Sequence, residues 1–477
     1  MRQATLSFLA ALIFCCTCAG QTASSGIPFP TPAAGTPASM PAANTPVPGA
    51  LPGVDFRVVV KPAMDKVFPA VVYIRVQRED MESCKKVTQE ISGSGVIIKD
   101  SGEVLTNWHV VDKAVKIRCL LSDGRAMTAK ALGSDKDTDL ALLQLDLPKG
   151  TAPLPCGVLG DSDRMKEGDL VMAMGAPWGL ERSVTMGIIS CTRRYLTLNS
   201  EYSLWLQTSA PIFPGNSGGP LVNTQGEVIA INTRALSGGD MGFSIPARTV
   251  QEIAGQIRQF GKVNWSWTGL QLQPLRNFEK DIYFDGNDGV LVGETDPESP
   301  ARRAGILSQD RILKVGGHAV TALTEENLPS IRMELGLLPK DKPVRIELLR
   351  DGNAVTVSLT PRAKGKVEGE ELDCPRWDLT VKAINQFDNP DLYFHVKKGV
   401  FVFGIKHPGN ASTAGLSTQD IVTKIDGKDV ETLDDVKAIH KAAVENVATK
   451  HKMEFTVLRN GLMRKIVLDF SRDYEKE

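Results

Sequence analysis

One short stretch of the chain combines a nucleophilic side chain with backbone that a substrate could approach closely. Ser217 lies in the string Gly215-Asn216-Ser217-Gly218-Gly219-Pro220, whose glycines leave the neighbouring amides uncovered. A serine in such a setting is a candidate for covalent catalysis, because bare amides can stabilise the oxyanion that forms when a hydroxyl attacks a carbonyl. The alternative is a glycine-rich hairpin with an incidental serine. The string also fits the Gly-x-Ser-x-Gly turn of α/β-hydrolases, but those enzymes need a parallel sheet with helices, which the β-rich sequence around it does not predict.

A serine nucleophile needs a base, and the first half of the chain contains a single histidine, His109. An imidazole needs in turn a carboxylate that holds it in one tautomer and compensates its cationic form. Asp139 adjoins an apolar run, where a carboxylate could orient an imidazole, whereas the competing choices Asp135 and Asp137 are expected in a solvated turn. His109, Asp139 and Ser217 are therefore the predicted catalytic residues.

Short runs of β-branched and other apolar residues surround these candidates. The runs are broken by Gly, Asp and Asn and recur over about 200 residues, a pattern that predicts a β-sandwich or a pair of barrels. The protein is therefore expected to be mostly β in this part. The runs include residues 71–74, 95–98, 140–143 and 228–231.

The C-terminal third contains an internal repeat with an offset of 110 residues. Each copy predicts one α+β domain, with a helical stretch followed by a hairpin signal of two turn residues. Two copies at this spacing are typical of tandem domains rather than of a solenoid. The corresponding segments are residues 289–292 and 399–402, residues 304–310 and 414–420, the helical stretches near 325–335 and 433–446, and the hairpin signals Asp351-Gly352 and Asn460-Gly461.

The composition argues against several kinds of partner. Lys plus Arg total 55 and Asp plus Glu total 56, so the net charge of -1 provides no basic field for a nucleic acid or an anionic membrane. No cofactor and no metal site are expected, because the cysteines beyond residue 20 are scattered singly, without the paired spacing of zinc or redox sites. These five cysteines predict mainly free thiols, with room for one or two disulfides. They are Cys84, Cys119, Cys156, Cys191 and Cys374.

The N-terminal residues predict export rather than a folded domain. Residues 1–20 have the outline of a signal peptide, with a short apolar run that ends in small residues. Residues 21–55 are rich in Pro and Ala and predict a disordered tether. The mature protein is expected in the periplasm or outside the cell, and a membrane tether through a lipid on Cys15, Cys16 or Cys18 is the alternative.

Further strings around the candidate catalytic residues carry a family resemblance. They are Gly93-Ser94-Gly95-Val96-Ile97-Ile98, Gly160-Asp161-Ser162, Gly175-Ala176-Pro177-Trp178-Gly179, Leu206-Gln207-Thr208 and Gly242-Phe243-Ser244-Ile245-Pro246. Together with the order His109, Asp139, Ser217, they make the stretch from about residue 93 to residue 250 resemble the trypsin-fold serine proteases of the HtrA (DegP) family. The resemblance implies two antiparallel β-barrels in the manner of chymotrypsin, with the three catalytic residues in the cleft between them. It also implies a homotrimer or a larger homo-oligomer.

The resemblance assigns roles to residues beside the predicted nucleophile. The backbone amides of Gly215 and Ser217, with Asn216 between them, are expected to form the oxyanion hole. Pro211 and Ile212 are expected to help form the floor of the specificity pocket. Neither is acidic, so medium aliphatic side chains such as Val, Leu or Ala are expected before the scissile bond.

The two repeats resemble PDZ domains, at residues 265–363 and 372–473. Such domains bind a peptide C-terminus by strand addition and hold its carboxylate with loop amides. In the first copy Trp267-Thr268-Gly269-Leu270 matches that loop. The second copy has Trp377-Asp378-Leu379-Thr380, which lacks the glycine and adds a negative charge. We therefore expect ligand binding by the first repeat and a regulatory or assembly role for the second.

Residues 56–257 are expected to form the protease domain of an exported, ATP-independent serine endopeptidase that degrades misfolded or unfolded proteins. Its partners are expected to be such proteins and C-terminal peptides. A proteolytically inactive chaperone or peptide-binding scaffold is the alternative, but a pure binder has no chemical need for His109, Asp139 and Ser217 together. A digestive trypsin-like enzyme is disfavoured, because no cleavable activation motif precedes the protease region.

Overall fold

The computed structural model describes residues 55–82, 85–176, 183–197, 199–236, 241–277 and 280–474. The predicted signal peptide, nearly all of the predicted tether, Cys84 and the predicted string at residues 177–179 lie outside the described residues. Among the described helices, none has the length and apolar character needed to cross a bilayer. No disulfide joins the four described cysteines to one another.

Six antiparallel strands close into a first barrel, in which the first and fourth strands pair to complete the ring. Closure gives each strand a partner on both sides, so the backbone that carries the site has a fixed register. A helix α1 (Arg57–Val67) precedes the barrel, and a one-turn helix α2 (Trp108–Val111) follows its third strand. The strands are β1 (Val71–Glu82), β2 (Lys85–Lys99), β3 (Glu103–Thr106), β4 (Ala114–Leu120), β5 (Ala126–Asp135) and β6 (Leu140–Leu145), in the order β1-β2-β3-β6-β5-β4.

A second barrel of six antiparallel strands follows, and the helix α3 (Ala247–Phe260) packs beside both barrels. Helix α3 buries an apolar stripe at helical spacing, Val250, Ile253, Ala254 and Ile257, and this stripe joins the core that runs through both barrels. The predicted pair of antiparallel barrels is therefore confirmed. The strands are β7 (Leu170–Gly175), β8 (Ser183–Arg194), β9 (Trp205–Thr208), β10 (Pro220–Asn223), β11 (Val228–Leu236) and β12 (Met241–Pro246), in the order β10-β11-β12-β9-β8-β7.

The first repeat is a sheet with a helix packed beside it. Its strand order is β14-β17-β18-β20-β21, so β14 is an edge strand whose one partner among the described strands of this sheet is β17. The elements are β13 (Ser266–Trp267), β14 (Leu270–Gln273), β15 (Arg276–Asn277), β16 (Ile282–Tyr283), β17 (Val290–Thr295), α4 (Pro300–Arg303), β18 (Arg311–Val315), β19 (His318–Ala319), a 3-10 turn (Glu325–Asn327), α5 (Leu328–Gly336), β20 (Val344–Arg350), β21 (Asn353–Leu359) and β22 (Arg362–Ala363).

The second repeat has the same design with one additional strand at the edge. Its order is β23-β24-β25-β26-β28-β29, so β24, the counterpart of β14, has a partner on both sides. The elements are β23 (Glu371–Cys374), a 3-10 turn (Pro375–Trp377), β24 (Leu379–Ala383), α6 (Pro390–His395), β25 (Val400–Ile405), α7 (Asn410–Ala414), β26 (Ile421–Ile425), β27 (Lys428–Asp429), α8 (Leu433–Glu445), β28 (Lys452–Arg459) and β29 (Leu462–Asp469).

One ion pair is repeated in both copies and confirms the internal repeat. Arg350 donates from Nε to buried Asp310 at 2.7 Å, and Arg459 donates in the same way to buried Asp420 at 2.6 Å. Both predicted hairpin signals also adopt two consecutive positive φ angles, 50° and 80° in the first copy and 50° and 77° in the second. Such angles define the type I′ turn that suits the twist of a two-residue hairpin.

Candidate active site

The imidazole of His109 is held by the carboxylate of Asp139. His109 Nδ1 lies 2.9 Å from Asp139 Oδ1 and 2.8 Å from Oδ2, and the His109 backbone N–H donates to Oδ1 at 3.0 Å. The Asp139 side chain is 8% exposed and that of His109 is 40% exposed. A buried carboxylate thus engages one ring nitrogen, while the other ring nitrogen, Nε2, stays available for a proton transfer.

Asp139 has an unusual backbone conformation that its neighbours hold in place. Its φ angle is +55°, in the left-handed region that Asp tolerates better than most residues. The Asp139 carbonyl accepts hydrogen bonds from the Trp108 backbone N–H at 3.1 Å and from Asn107 Nδ2 at 3.0 Å. The turn that ends at Asp139 is therefore hydrogen-bonded to the two residues that precede His109.

Ser217 lies in the loop between β9 and β10 and reaches the first barrel. The Ser217 carbonyl accepts the Ser94 backbone N–H at 2.8 Å, so the loop is bonded to β2. Gly218 has a φ of +83°, and a Cβ there would lie 2.2 Å from the Ser94 carbonyl oxygen and 2.3 Å from Thr106 Oγ1. Glycine is required at that position because the two barrels approach so closely.

The Ser217 hydroxyl donates to the Thr233 carbonyl at 2.9 Å rather than to His109. Asn107 connects this arrangement to the histidine, since its Nδ2 donates both to the Asp139 carbonyl and, at 3.1 Å, to Thr233 Oγ1. One amide group therefore joins the His109 and Asp139 pair to the strand that holds the serine hydroxyl. Neither Asn107 nor Thr233 was among the residues predicted from the sequence. The polar side chain of Asn107, two residues before His109, is a sequence signal that could have identified it. No sequence signal indicates Thr233.

The candidate oxyanion donors differ in how they are used. The Asn216 amide donates to the Phe213 carbonyl at 2.9 Å, so it is occupied within its own turn. The amides of Gly215 and Ser217 have no acceptor among the described residues. Gly215 has a φ of +99°, and its carbonyl accepts from Ser94 Oγ at 2.6 Å, which fixes the peptide next to Asn216.

The two predicted pocket residues have different environments. Ile212 is 4% exposed and packs with the apolar core of the second barrel, close to Gly242. Pro211 is half-buried, and its carbonyl accepts from Thr185 Oγ1 at 2.6 Å. Their assignment to the specificity pocket remains a prediction.

The turn before Asp139 is not the solvated turn that we expected. Asp135 is buried and accepts hydrogen bonds from the Thr138 backbone N–H at 2.9 Å and from Trp265 Nε1 at 2.7 Å. Asp137 forms an ion pair with Lys364 at 2.7 Å, with both side chains mostly buried. The expectation was wrong because both carboxylates find partners in the C-terminal part of the chain.

The predicted carboxylate-binding loop of the first repeat is open. Gly269 has a φ of +73°, and a Cβ there would lie 2.1 Å from the Ser299 Cβ, so only glycine fits. The Gly269 amide has no acceptor among the described residues, while the Gly269 carbonyl accepts the Asp296 N–H at 2.8 Å. A cavity of about 420 Å³ contains Trp267, Thr268, Gly269 and Leu270 in its lining.

The equivalent loop of the second repeat is closed. The residue with positive φ before the strand is Asp378, at +55°, so Asp378 rather than Leu379 stands where Gly269 does. The Asp378 carboxylate is buried and accepts the Asn410 N–H at 2.8 Å, so it does not present a free negative charge. Strand β23 pairs antiparallel with β24, from Glu371 opposite Lys382 to Cys374 opposite Leu379, and α8 packs against it.

Comparisons with known proteins agree with this architecture. The trypsin-like peptidase domain family matches residues 93–231, and the PDZ domain family matches residues 268–360. Similar curated proteins include the "Probable periplasmic serine endoprotease DegP-like" of Marinomonas sp. (strain MWYL1), 35% identical over 378 residues that cover 77% of each chain. The "Periplasmic serine endoprotease DegP" of Escherichia coli (strain K12) is 33% identical over 364 residues, 73% of this chain and 71% of that protein.

Similar solved structures include two of one protease with bound peptide. The "HtrA-type protease AlgW with tripeptide" is 33% identical, with a TM-score of 0.56 over 64% of this chain and 97% of that one. The "HtrA-type protease AlgW with decapeptide" is 31% identical, with a TM-score of 0.55 over 64% of this chain and 98% of that one. The chain belongs to the DegP-like, HtrA-type family of serine endoproteases, and it is a serine endopeptidase with a trypsin-like domain followed by PDZ-like repeats.

Proposed function

We propose that the protein is an exported, ATP-independent endopeptidase that cleaves misfolded or unfolded proteins, with His109, Asp139 and Ser217 as its catalytic residues. The contact of both Asp139 oxygens with His109 Nδ1 supports this proposal most directly, because it leaves Nε2 to act as the base. The periplasmic relatives support the periplasm as its compartment. An inactive chaperone would have no use for a histidine oriented in this way.

The reaction begins when the Ser217 hydroxyl turns from the Thr233 carbonyl toward His109 Nε2. Ser217 Oγ then forms a bond to the carbonyl carbon of the scissile peptide while its proton passes to Nε2. The tetrahedral intermediate collapses, the carbon–nitrogen bond breaks, and His109 returns the proton to the leaving amine. Water, deprotonated by His109, then cleaves the acyl-enzyme and restores the Ser217 hydroxyl.

The amides of Gly215 and Ser217 are the proposed donors to the oxyanion. Both are without an acceptor among the described residues, and Asn216 is left out because Phe213 already uses its amide. Loss of one such donor costs about 3 kcal/mol of transition-state stabilisation in related chemistry. Pro211 and Ile212 remain our proposal for the pocket, with Val, Leu or Ala before the scissile bond.

The domain division is part of the proposal. Residues 1–20 are the signal peptide and residues 21–55 the tether, followed by the protease domain at 56–257. PDZ domains occupy residues 265–363 and 372–473. The outer edge of β14, which has no partner among the described strands, lies beside the Gly269 amide and supports recognition of peptide C-termini by the first PDZ domain. A homotrimer or larger homo-oligomer is proposed from the family alone.

Degradation of casein tests the proposed function. Wild-type protein is expected to degrade casein without ATP, and Ser217→Ala is expected to abolish degradation while C-terminal peptides still bind. Ser101→Ala, in an exposed turn of the first barrel, is the matched control and is expected to keep full activity. Casein degradation by Ser217→Ala at the wild-type rate would exclude the proposed mechanism. Protection of casein from aggregation by a wild-type protein that never cleaves it would support the scaffold alternative.

A further inference from the structure

Five side chains connect the turn before Asp139 to the segments that enter and leave the first repeat. We call Asp135, Asp137, Tyr202, Trp265 and Lys364 the docking cluster. Trp265 Nε1 donates to Asp135 Oδ1 at 2.7 Å, and Lys364 Nζ donates to Asp137 Oδ2 at 2.7 Å and to the Tyr202 hydroxyl at 3.0 Å. The Tyr202 and Trp265 rings stack with their centroids 4.0 Å apart.

The docking cluster is held together at both ends of the first repeat. Trp265 precedes β13 and Lys364 follows β22, and these two short strands pair with each other. The Lys364 backbone N–H also donates to the Trp265 carbonyl at 2.9 Å. The two contacts to the turn are therefore made by two residues that are bonded to each other where the ends of the first repeat meet.

Burial makes the partners of the docking cluster depend on each other. Burial raises the pKa of Asp135 to about 6, assisted by the nearby Asp137, and burial also raises the pKa of Tyr202 to about 12. Burial opposes the charge of Lys364, but Tyr202 and Asp137 together raise its pKa. Removal of Lys364 or Asp137 leaves the other as an uncompensated buried charge. The contact between the turn and the first repeat is therefore strongly favoured over its separation.

The turn that contains Asp135 and Asp137 is connected to His109 through Thr138 and Asp139. Asp135 Oδ2 accepts both the Thr138 backbone N–H at 2.9 Å and the Thr138 hydroxyl at 2.7 Å. Asp139 comes next, in its left-handed conformation, and its carboxylate holds His109. A shift of Asp135 or Asp137 therefore reorients the carboxylate that faces His109 Nδ1, and displacements of about 1 Å in such groups reduce rates substantially.

We propose that Asp135, Asp137 and Lys364 are positioning residues for the peptidase reaction, and that docking of the first repeat through Trp265 and Lys364 holds Asp139 in its orientation toward His109. The inference rests on the proposed catalytic roles of His109, Asp139 and Ser217. None of the three positioning residues touches the reacting atoms. They act through the turn that presents Asp139.

Kinetics of Lys364→Met in the full chain test this inference. The substrate is a short chromogenic peptide with a blocked C-terminus, because Lys364 and Tyr202 also line the cavity beside Gly269 and a free C-terminus would bind there. Couplings of this kind change rates by about 2-fold to 30-fold, and we expect kcat to fall within that range with KM unchanged. Lys364→Arg is expected to restore most of kcat, since a guanidinium can still pair with Asp137.

Lys366→Met is the matched control, since Lys366 lies two residues away and forms an exposed ion pair with Glu370. It is expected to keep the wild-type kcat. Asp137→Asn tests the same contact from the other side, in case Lys364→Met fails to fold. The double variant Asp137→Asn/Lys364→Met is expected to lose less than the product of the two single losses, because the second change breaks no further contact.

The decisive measurement repeats Lys364→Met in an Asp139→Asn background. A residue that acts through Asp139 has no further effect on the residual kcat once that carboxylate is gone. An additional loss in this background equal to that in the wild-type background would overturn the inference, and so would an equal kcat for Lys364→Met and Lys366→Met. Equal cleavage by wild-type protein and Ser217→Ala would instead refute the proposed function itself.

Discussion

Replacement of Asp139 by Asn is expected to trap His109 in the wrong tautomer. The His109 backbone N–H donates to Asp139 Oδ1 at 3.0 Å, so the oxygen of an asparagine will take that position. The side-chain nitrogen then occupies the position of Oδ2, 2.8 Å from His109 Nδ1. An NH₂ group must donate there, which makes Nδ1 the acceptor and moves the ring proton to Nε2.

A protonated Nε2 cannot accept the proton of Ser217, so the loss should appear in kcat rather than in KM. A change of tautomer without a change of geometry costs about 10⁴ in kcat in enzymes of this mechanism. That factor corresponds to about 5 kcal/mol of transition-state stabilisation. We expect a loss of this size for Asp139→Asn, with unchanged binding of C-terminal peptides to the first repeat.

The assay is steady-state cleavage of a short chromogenic peptide, with unfolding temperature and peptide affinity as checks on the fold. Asp123→Asn is the matched control, because Asp123 pairs locally with Arg125 in an exposed turn. It is expected to stay within about twofold of wild type, as surface substitutions usually do. The reasoning is refuted if Asp139→Asn keeps more than a tenth of the wild-type kcat while remaining folded.

Two further predictions concern a buried carboxyl and a loop glycine. The pKa of Asp135 is raised by burial from 3.8 to about 6, so folding takes up a proton there. The resulting stability is fully present below pH 3.8 and is lost as the pH rises through 6. Denaturant unfolding should show wild type losing about 2 kcal/mol relative to Asp135→Asn between pH 4 and pH 7, and a pH-independent difference would contradict this. Gly269→Val should weaken C-terminal peptide binding at least about tenfold by calorimetry, because its Cβ collides with Ser299. Gly255→Ala, which meets no atom within 4 Å, should bind normally, and normal binding by Gly269→Val would be evidence against the loop assignment.

Features that depend on neighbouring residues could be predicted from the sequence. The turn pairs Asp351-Gly352 and Asn460-Gly461 have residue types that tolerate positive φ, so their hairpins required no knowledge of distant contacts. The contact of His109 with Asp139 could also be predicted. A catalytic imidazole needs a carboxylate partner, and Asp139 adjoins an apolar run where such a partner could be buried. In these cases the residue type alone leaves few alternative conformations or partners.

Features that depend on distant partners could not be predicted in this way. Asp135 and Asp137 have the sequence context of a solvated turn, and their partners Trp265 and Lys364 lie 130 and 227 residues away. Nothing in the local sequence indicates that the turn is covered. The hydrogen bond of Ser217 to Thr233 is equally invisible, because a hydroxyl can rotate to any acceptor within reach.

The second repeat differs from the first in a structural feature that the sequence did not indicate. We expected a regulatory or assembly role there because the loop lacks the glycine and has an added negative charge, yet Asp378 adopts the left-handed conformation and its carboxylate is buried and bonded. The difference between the two repeats is strand β23. It pairs antiparallel with β24 and lies between that strand and α8. Strand addition would place a peptide in the same position. Its last residue, Cys374, is fully buried opposite Leu379. Because the equivalent edge of β14 has no such partner among the described residues, the proposed addition of a peptide strand to the first repeat requires no described strand to be displaced.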